Sequence, residues 1–148
     1  MSDPLASALR EMRESGRFDV VLDAIPYARM LGLTAAVEDG VLVTRMPPSE
    51  RLIGNPVLPA LHGGTVGALM ESAAILELLR QVETPGVPKT INLTVDYLRS
   101  ARVVLTFARA VITRHGRRVA NVQVRAWQDD AERPVAVAHA HFLLRSGA

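Results

Sequence analysis

Residues 61–80, Leu61-His62-Gly63-Gly64-Thr65-Val66-Gly67-Ala68-Leu69-Met70-Glu71-Ser72-Ala73-Ala74-Ile75-Leu76-Glu77-Leu78-Leu79-Arg80, decide the reading of this chain. They run from a glycine turn into an apolar helix. Thr65 is the expected N-cap, because its side-chain oxygen can accept a hydrogen bond from an orphan amide of the first turn. From Val66 onward apolar residues recur with almost no polar face, the pattern of a helix enclosed on most sides. Glu71 stands inside that pattern. Its neighbours on the helix surface, Gly67, Ala68, Ala74, Ile75 and Leu78, carry no charge, so no cation on its own helix answers it. Burying such a carboxylate unpaired raises its pKa or costs several kcal/mol.

Outward from the helix, both flanks read as strands. Upstream, Leu31–Glu38 and Val41–Met46 are strand-like and Asp39-Gly40 between them is a two-residue hairpin turn. Residues 47–60, with Pro47-Pro48, Asn55-Pro56 and Pro59, read as a loop. Downstream, Thr84–Pro88 is a breaker and the pattern is β to the end. Thr90–Leu98 alternates with Ile91, Leu93, Val95 and Tyr97 on one face. Arg102–Arg114, Val119–Gln128 and Pro134–Leu144 follow, separated by turns at His115–Arg118 and Asp129–Arg133. Ahead of all this lie an amphipathic helix from Pro4 to Glu14, a break at Gly16, and a second helical segment over about Phe18–Met30. The expectation is α+β: a long central helix wrapped by a curved antiparallel sheet of about six strands, with the first helices across an open end. A parallel, doubly wound sheet does not fit, because one internal helix cannot supply its crossovers. The length suits a single domain over residues 1–148, with residues 1–30 as a helical extension.

Composition narrows the chemistry. There is no cysteine, hence no disulfide framework, thiolate nucleophile or zinc–cysteine site. The net charge is +2, and Lys89 is the only lysine. The arginines are interleaved with acids and aromatics are sparse, unlike a nucleic-acid surface with its basic stripe and stacking rings. Met1-Ser2-Asp3-Pro4 carries no basic n-region and no long apolar run follows it, so neither a signal peptide nor a spanning helix is expected. A cytoplasmic protein is the default expectation.

Three stretches together resemble the hotdog-fold acyl-CoA thioesterases of the PaaI-like group. They are His62-Gly63-Gly64 with an acid nine residues after the histidine, the strand Thr90-Ile91-Asn92-Leu93-Thr94-Val95-Asp96-Tyr97-Leu98-Arg99, and the turn Gly116-Arg117-Arg118-Val119-Ala120 with the closing strand Val135–Ala140. The resemblance covers roughly residues 30–146. It implies Glu71 as general base or nucleophile and the Gly64 backbone amide as oxyanion donor. It also implies Thr90 as the supporting hydroxyl and Asn55 as the loop amide that orients water. The acid is Glu where Asp is commoner in the group, and Asn55 lies one residue further from His62 than the family spacing.

Physical chemistry is compatible with those roles. Amides at a helix start, with the positive end of the dipole, suit a developing oxyanion, and Gly63 and Gly64 let a substrate approach the backbone. One residue advances a helix by about 1.5 Å, so Glu71 lies roughly 10 Å along the axis from Gly64. One helix cannot bring both to one carbonyl, which points to a site shared between subunits. Each residue also has a plainer reading. Glu71 can pair with an arginine; His62, a catalytic candidate for proton transfer or for orienting the reacting groups, can simply pack or hydrogen-bond the loop at the helix entry; Thr90 can be a strand residue, and Asn55 can shape the turn before Pro56. His139 and His141 share a strand face but have no evident third metal ligand. Arg99, Arg117 and Arg118 suit the phosphates of CoA or a solvated turn.

The expected activity is hydrolysis of an acyl-CoA thioester, with no metal and no cofactor beyond the CoA carried by the substrate. A homodimer or homotetramer with the active site at the subunit interface is expected, since sheet edges pair readily. Two alternatives stand beside it: a hotdog enoyl- or hydroxyacyl-CoA hydratase-dehydratase, for which Asn55 occupies the place of the needed histidine, and a non-catalytic acyl-CoA-binding domain.

Overall fold

The computed structural model describes residues 3–144. A first helix, α1 (Pro4–Ser15), is capped by Asp3 and stops at Gly16. The segment expected as one helix over Phe18–Met30 is two: α2 (Asp19–Ala24) and α3 (Pro26–Leu31), broken where Ile25 takes an extended conformation. Pro26 is the reason, since the residue before a proline is pushed out of the helical region. The two strands of the predicted hairpin follow as β1 (Thr34–Glu38) and β2 (Val41–Met46). Asp39 and Gly40 both have positive φ, 50° and 78°, the geometry that matches the twist of a tight hairpin.

The stretch expected as loop contains a 3-10 turn (Glu50–Leu52) and a miniature hairpin, β3 (Ile53–Asn55) with β4 (Ala60–Leu61). Strands this short, interrupted by prolines, leave no periodicity to read. The hairpin ties the helix entry down: the His62 amide donates to the Leu52 carbonyl (2.7 Å), and the Leu61 amide donates to that of Ala101 (2.9 Å).

The long helix, α4 (Gly63–Gln81), comes next, then β5 (Lys89–Tyr97), β6 (Thr106–His115), β7 (Val119–Trp127) and β8 (Ala136–Leu143). The main sheet is antiparallel throughout, in the order β1-β2-β6-β7-β8-β5. It wraps α4 as expected. The faces of β6, β7 and β8 turned to the helix carry Ala108, Ala110, Ala120, Ala126, Ala136, Ala138 and Ala140, all buried. Such small side chains let the helix lie close against the sheet's curve, where Leu69, Met70, Leu76 and Leu78 fill the core with Val122 and Phe142. The N-terminal helices lie toward the far end of α4. Arg13 donates to the Thr84 carbonyl, and the Asp19 carboxylate accepts the Ala35 amide at 2.8 Å.

The two sheet edges differ. β1 is five residues long and closes with an Arg45–Glu38 ion pair across the hairpin. β5 is nine residues long and leaves Ile91 and Tyr97 more than half exposed. A long edge with exposed apolar side chains is a template for pairing with another chain.

Candidate active site

The start of α4 is built differently from the sequence expectation. His62, not Thr65, is the N-cap: its Nδ1 accepts the Gly64 amide at 2.9 Å. Thr65 lies inside the first turn, and its hydroxyl donates back to the His62 carbonyl at 2.7 Å. Two glycines ahead of the threonine permit the helix to begin early, and the imidazole reaches the orphan amide that Thr65 was expected to serve. An Nδ1 that accepts a hydrogen bond carries no proton, so the neutral ring holds its proton on Nε2. The exposed His62 thus offers a donor at the helix start.

Tyr97, at the end of β5, was not singled out by the sequence. Its hydroxyl donates to the Gly63 carbonyl at 2.7 Å. A Cβ at Gly63 would stand 3.0 Å from the Tyr97 ring, so any larger residue there would press the ring back by a few tenths of an ångström. The peptide joining Gly63 to Gly64 is therefore held at both ends, its oxygen by Tyr97 and its N–H by His62. Among the described residues the preceding amide, that of Gly63, has no acceptor. The Gly64 amide, the donor implied by resemblance, is engaged in the cap, and the free first-turn donor is Gly63. Beside it opens a cavity of about 410 Å³, walled by Leu61, Val66, Tyr97, Leu98, Ala101 and Val135. The alternation of Tyr97 with Leu93 and Val95 placed it on the helix side of its strand, but nothing in the sequence linked it to Gly63.

Glu71 lies two turns on. It is half-buried, not enclosed as expected, and it has no hydrogen-bond or ion-pair partner among the described residues. It belongs to a stripe of α4, Gly64–Ala68–Glu71–Ile75, that the sheet leaves partly open. The enclosed acid of this helix is Glu77, 3% exposed, which accepts from Arg80 (2.9 and 3.1 Å) and from Gln81. Those hydrogen bonds to Glu77 raise the Arg80 pKa above its ordinary value, against the opposing effect of burial.

Thr90 owes its position to a bulge. β5 pairs Thr90 with Phe142 and Asn92 with His141, so Ile91 is an extra residue opposite no partner. Leu93, Val95 and Tyr97 share a face as expected, but Ile91 drops out of the alternation, and Thr90 joins the side of Phe142, toward the helix. Bulges re-aim side chains in this way.

The structure separates other candidates. Asn55 Oδ1 accepts the amides of Val57 (3.0 Å) and Leu58 (3.4 Å), so its carbonyl shapes the turn before Pro59. Arg99 follows Tyr97 and donates to the Pro134 carbonyl at 3.1 Å. Arg117 and Arg118 lie at the opposite end of the sheet, where Val119, Leu143 and Lys89 form one row. His139 and His141 do share the outer face of β8, but His141 Nδ1 sits 2.8 Å from Asn92 Oδ1. Among the described residues no group of three or more His, Asp or Glu is placed to hold a metal, and no helix is long and apolar enough to cross a membrane.

A helix wrapped by an antiparallel sheet in this order is matched in known proteins. The chain belongs to the thioesterase superfamily, whose family model matches residues 58–135. A protein from Chromobacterium violaceum of known structure is 38% identical, over 95% of this chain and 98% of its own, with a TM-score of 0.77. A phenylacetic acid degradation-related protein from Ralstonia eutropha JMP134 is 26% identical, over 93% and 99% of the two chains, with a TM-score of 0.74. A Bacillus halodurans protein solved with CoA shares the fold at 20% identity, covering 98% and 91% of the two chains, with a TM-score of 0.72. No curated protein matches. Family and fold together establish the hotdog thioesterase architecture and support thioester hydrolysis as the general chemistry.

Proposed function

We propose that the protein hydrolyses acyl-CoA thioesters at a site shared by two subunits, with Glu71 as general base or nucleophile. The observation that carries this is the clamped helix start, where Tyr97 and His62 fix one peptide and leave the neighbouring Gly63 amide free beside a cavity. A thioester carbonyl gains negative charge when attacked, and a fixed amide at the positive end of a helix stabilises it. The Nε2–H of His62 is a second donor at the same place. If the His62 cap opens, the Gly64 amide joins them.

Glu71 lies about 12 Å along the axis from Gly63 on its own helix, too far to serve that amide. A two-fold pairing of β5 with its copy, about the strand midpoint at Leu93, removes the distance. It sets Thr90 of one chain against the region of the partner subunit's Tyr97 and Gly63, and turns the open stripe of α4 inward. Glu71 and Thr90 then come from one chain and the helix start from the other. The same pairing draws Arg99 of one chain and the partner's Arg117 and Arg118 toward one rim, where CoA phosphates suit their guanidinium forks. The CoA in the Bacillus halodurans relative supports this choice of substrate. The Asn55 Oδ1 is held by its turn, so the Nδ2 of its amide is the part left to orient water.

In the general-base route Glu71 takes a proton from water as the hydroxide oxygen bonds to the thioester carbon. The Gly63 amide holds the oxyanion, which collapses as the carbon–sulfur bond breaks, and the proton on Glu71 returns to the CoA thiolate. In the nucleophilic route the Glu71 oxygen attacks, CoA leaves, and water hydrolyses the resulting anhydride. Both release free acid and CoA.

A panel of aliphatic and aromatic acyl-CoAs with a free-thiol assay tests the activity; no turnover above a Glu71→Ala control would end the proposal. Shared sites are tested by mixing Glu71→Gln chains with Gly63→Ala chains. Mixed dimers recover activity that neither variant has alone; verified mixed dimers without recovery overturn the shared site.

A further inference from the structure

We infer that the outer face of the sheet, away from α4, carries a second binding site, for a small phosphate-bearing molecule, centred on Arg109 and Arg125. The two arginines are direct cross-strand partners on β6 and β7, strands in the interior of the sheet. Side chains so placed start about 5 Å apart, and like charges there destabilise the pair. Both residues are half-buried, so water screens them incompletely. Arg125 is partly answered, donating to the Ala131 carbonyl at 3.0 Å with Glu132 at 3.5 Å. Among the described residues no carboxylate lies within ion-pair distance of Arg109.

The register extends the site. The arginine row continues to Val137 and Asp96, and the next row is Val111, Gln123, His139 and Thr94. Arg109, Arg125, Gln123 and His139 line a cavity of about 310 Å³, with Asp96 at its far side beyond Val137. That volume is at the small end of ligand sites. Within the cavity two guanidiniums, an imidazole and a carboxamide face one acid, Asp96, while Glu132 answers Arg125 from outside it, so the lining favours an anion at Arg109. Arginine forks match phosphate oxygens in pairs, while Val111 and Val137 offer a short apolar wall. Bound phosphate would stand between the two guanidiniums and remove their repulsion. The site lies on the opposite sheet face from the helix start and does not depend on the thioesterase reading.

Thermal unfolding of the full chain, titrated with inorganic phosphate and pyrophosphate against chloride at matched ionic strength, tests the site. The expected result is a saturable rise in Tm, larger for pyrophosphate. It is retained in an Arg117→Gln/Arg118→Gln variant and lost in Arg109→Gln. Without anion, Arg109→Gln has a Tm equal to or above that of the unaltered protein, because the like-charge contact is gone, and its thioester turnover is unchanged. No rise beyond the chloride control overturns the site. So does a rise that survives both Arg109→Gln and Arg125→Gln, which would place the anion elsewhere. A loss of assembled mass in Arg109→Gln by sedimentation, with no pyrophosphate response in the unaltered protein, would make the face a contact between copies and equally overturns it.

Discussion

Two glutamates six residues apart on α4 solve the problem of a charge near the core in opposite ways. Glu77 is enclosed and fully answered, by the Arg80 fork and by Gln81. Glu71 is half-open and answered by nothing among the described residues. The first is an internal ion pair whose attraction offsets the loss of water. The second keeps part of its hydration and leaves its oxygens available to something outside the chain. On one helix, the satisfied acid is structural and the unsatisfied one is the candidate for chemistry.

Four substitutions break or sharpen this contrast. Glu71→Gln should lower turnover by about 100-fold or more, the scale of a lost general base, with Tm nearly unchanged in a melting scan. A large fall in stability would mean that Glu71 is structural after all. Glu77→Ala should do the reverse. It strips the Arg80 hydrogen bonds at a cost of about 2 kcal/mol, read from the urea midpoint, while turnover per folded molecule is preserved. Thr90→Val keeps the shape and removes the hydroxyl, and roughly tenfold slower turnover is expected for one lost hydrogen bond at the site. Tyr97→Phe frees the Gly63 carbonyl. The loss of about 1 kcal/mol should be seen as a roughly fivefold lower kcat with KM unchanged, as for a group that positions the helix start.

The sequence exposed some of this and concealed the rest, for physical reasons. The Asp39-Gly40 hairpin, the long helix and the alternating strands Val119–Gln128 and Pro134–Leu144 were legible because their signals are local: turn chemistry and period. The assignment of burial to Glu71 failed because α4 is apolar on every side. Where Gly64, Ala68 and Ile75 make an open stripe, their size and polarity are those of a covered one, so only the sheet's placement reveals the opening. The cap failed for a related reason. Thr65 and His62 can both serve an orphan amide, and the winner is set by where the β3–β4 hairpin anchors the His62 backbone. Tyr97 was invisible as a site residue because its partner, Gly63, is 34 positions away and the contact is to a backbone oxygen.

The unpaired Ile91 carries a last consequence. Because strand side chains alternate sides, one surplus residue works like a frameshift in space. Were the strand to run through Ile91 without the bulge, strict alternation back from Leu93 would set Lys89, not Thr90, on the helix side. The identity of the group offered to the site is therefore written in the register of the strand as much as in its letters.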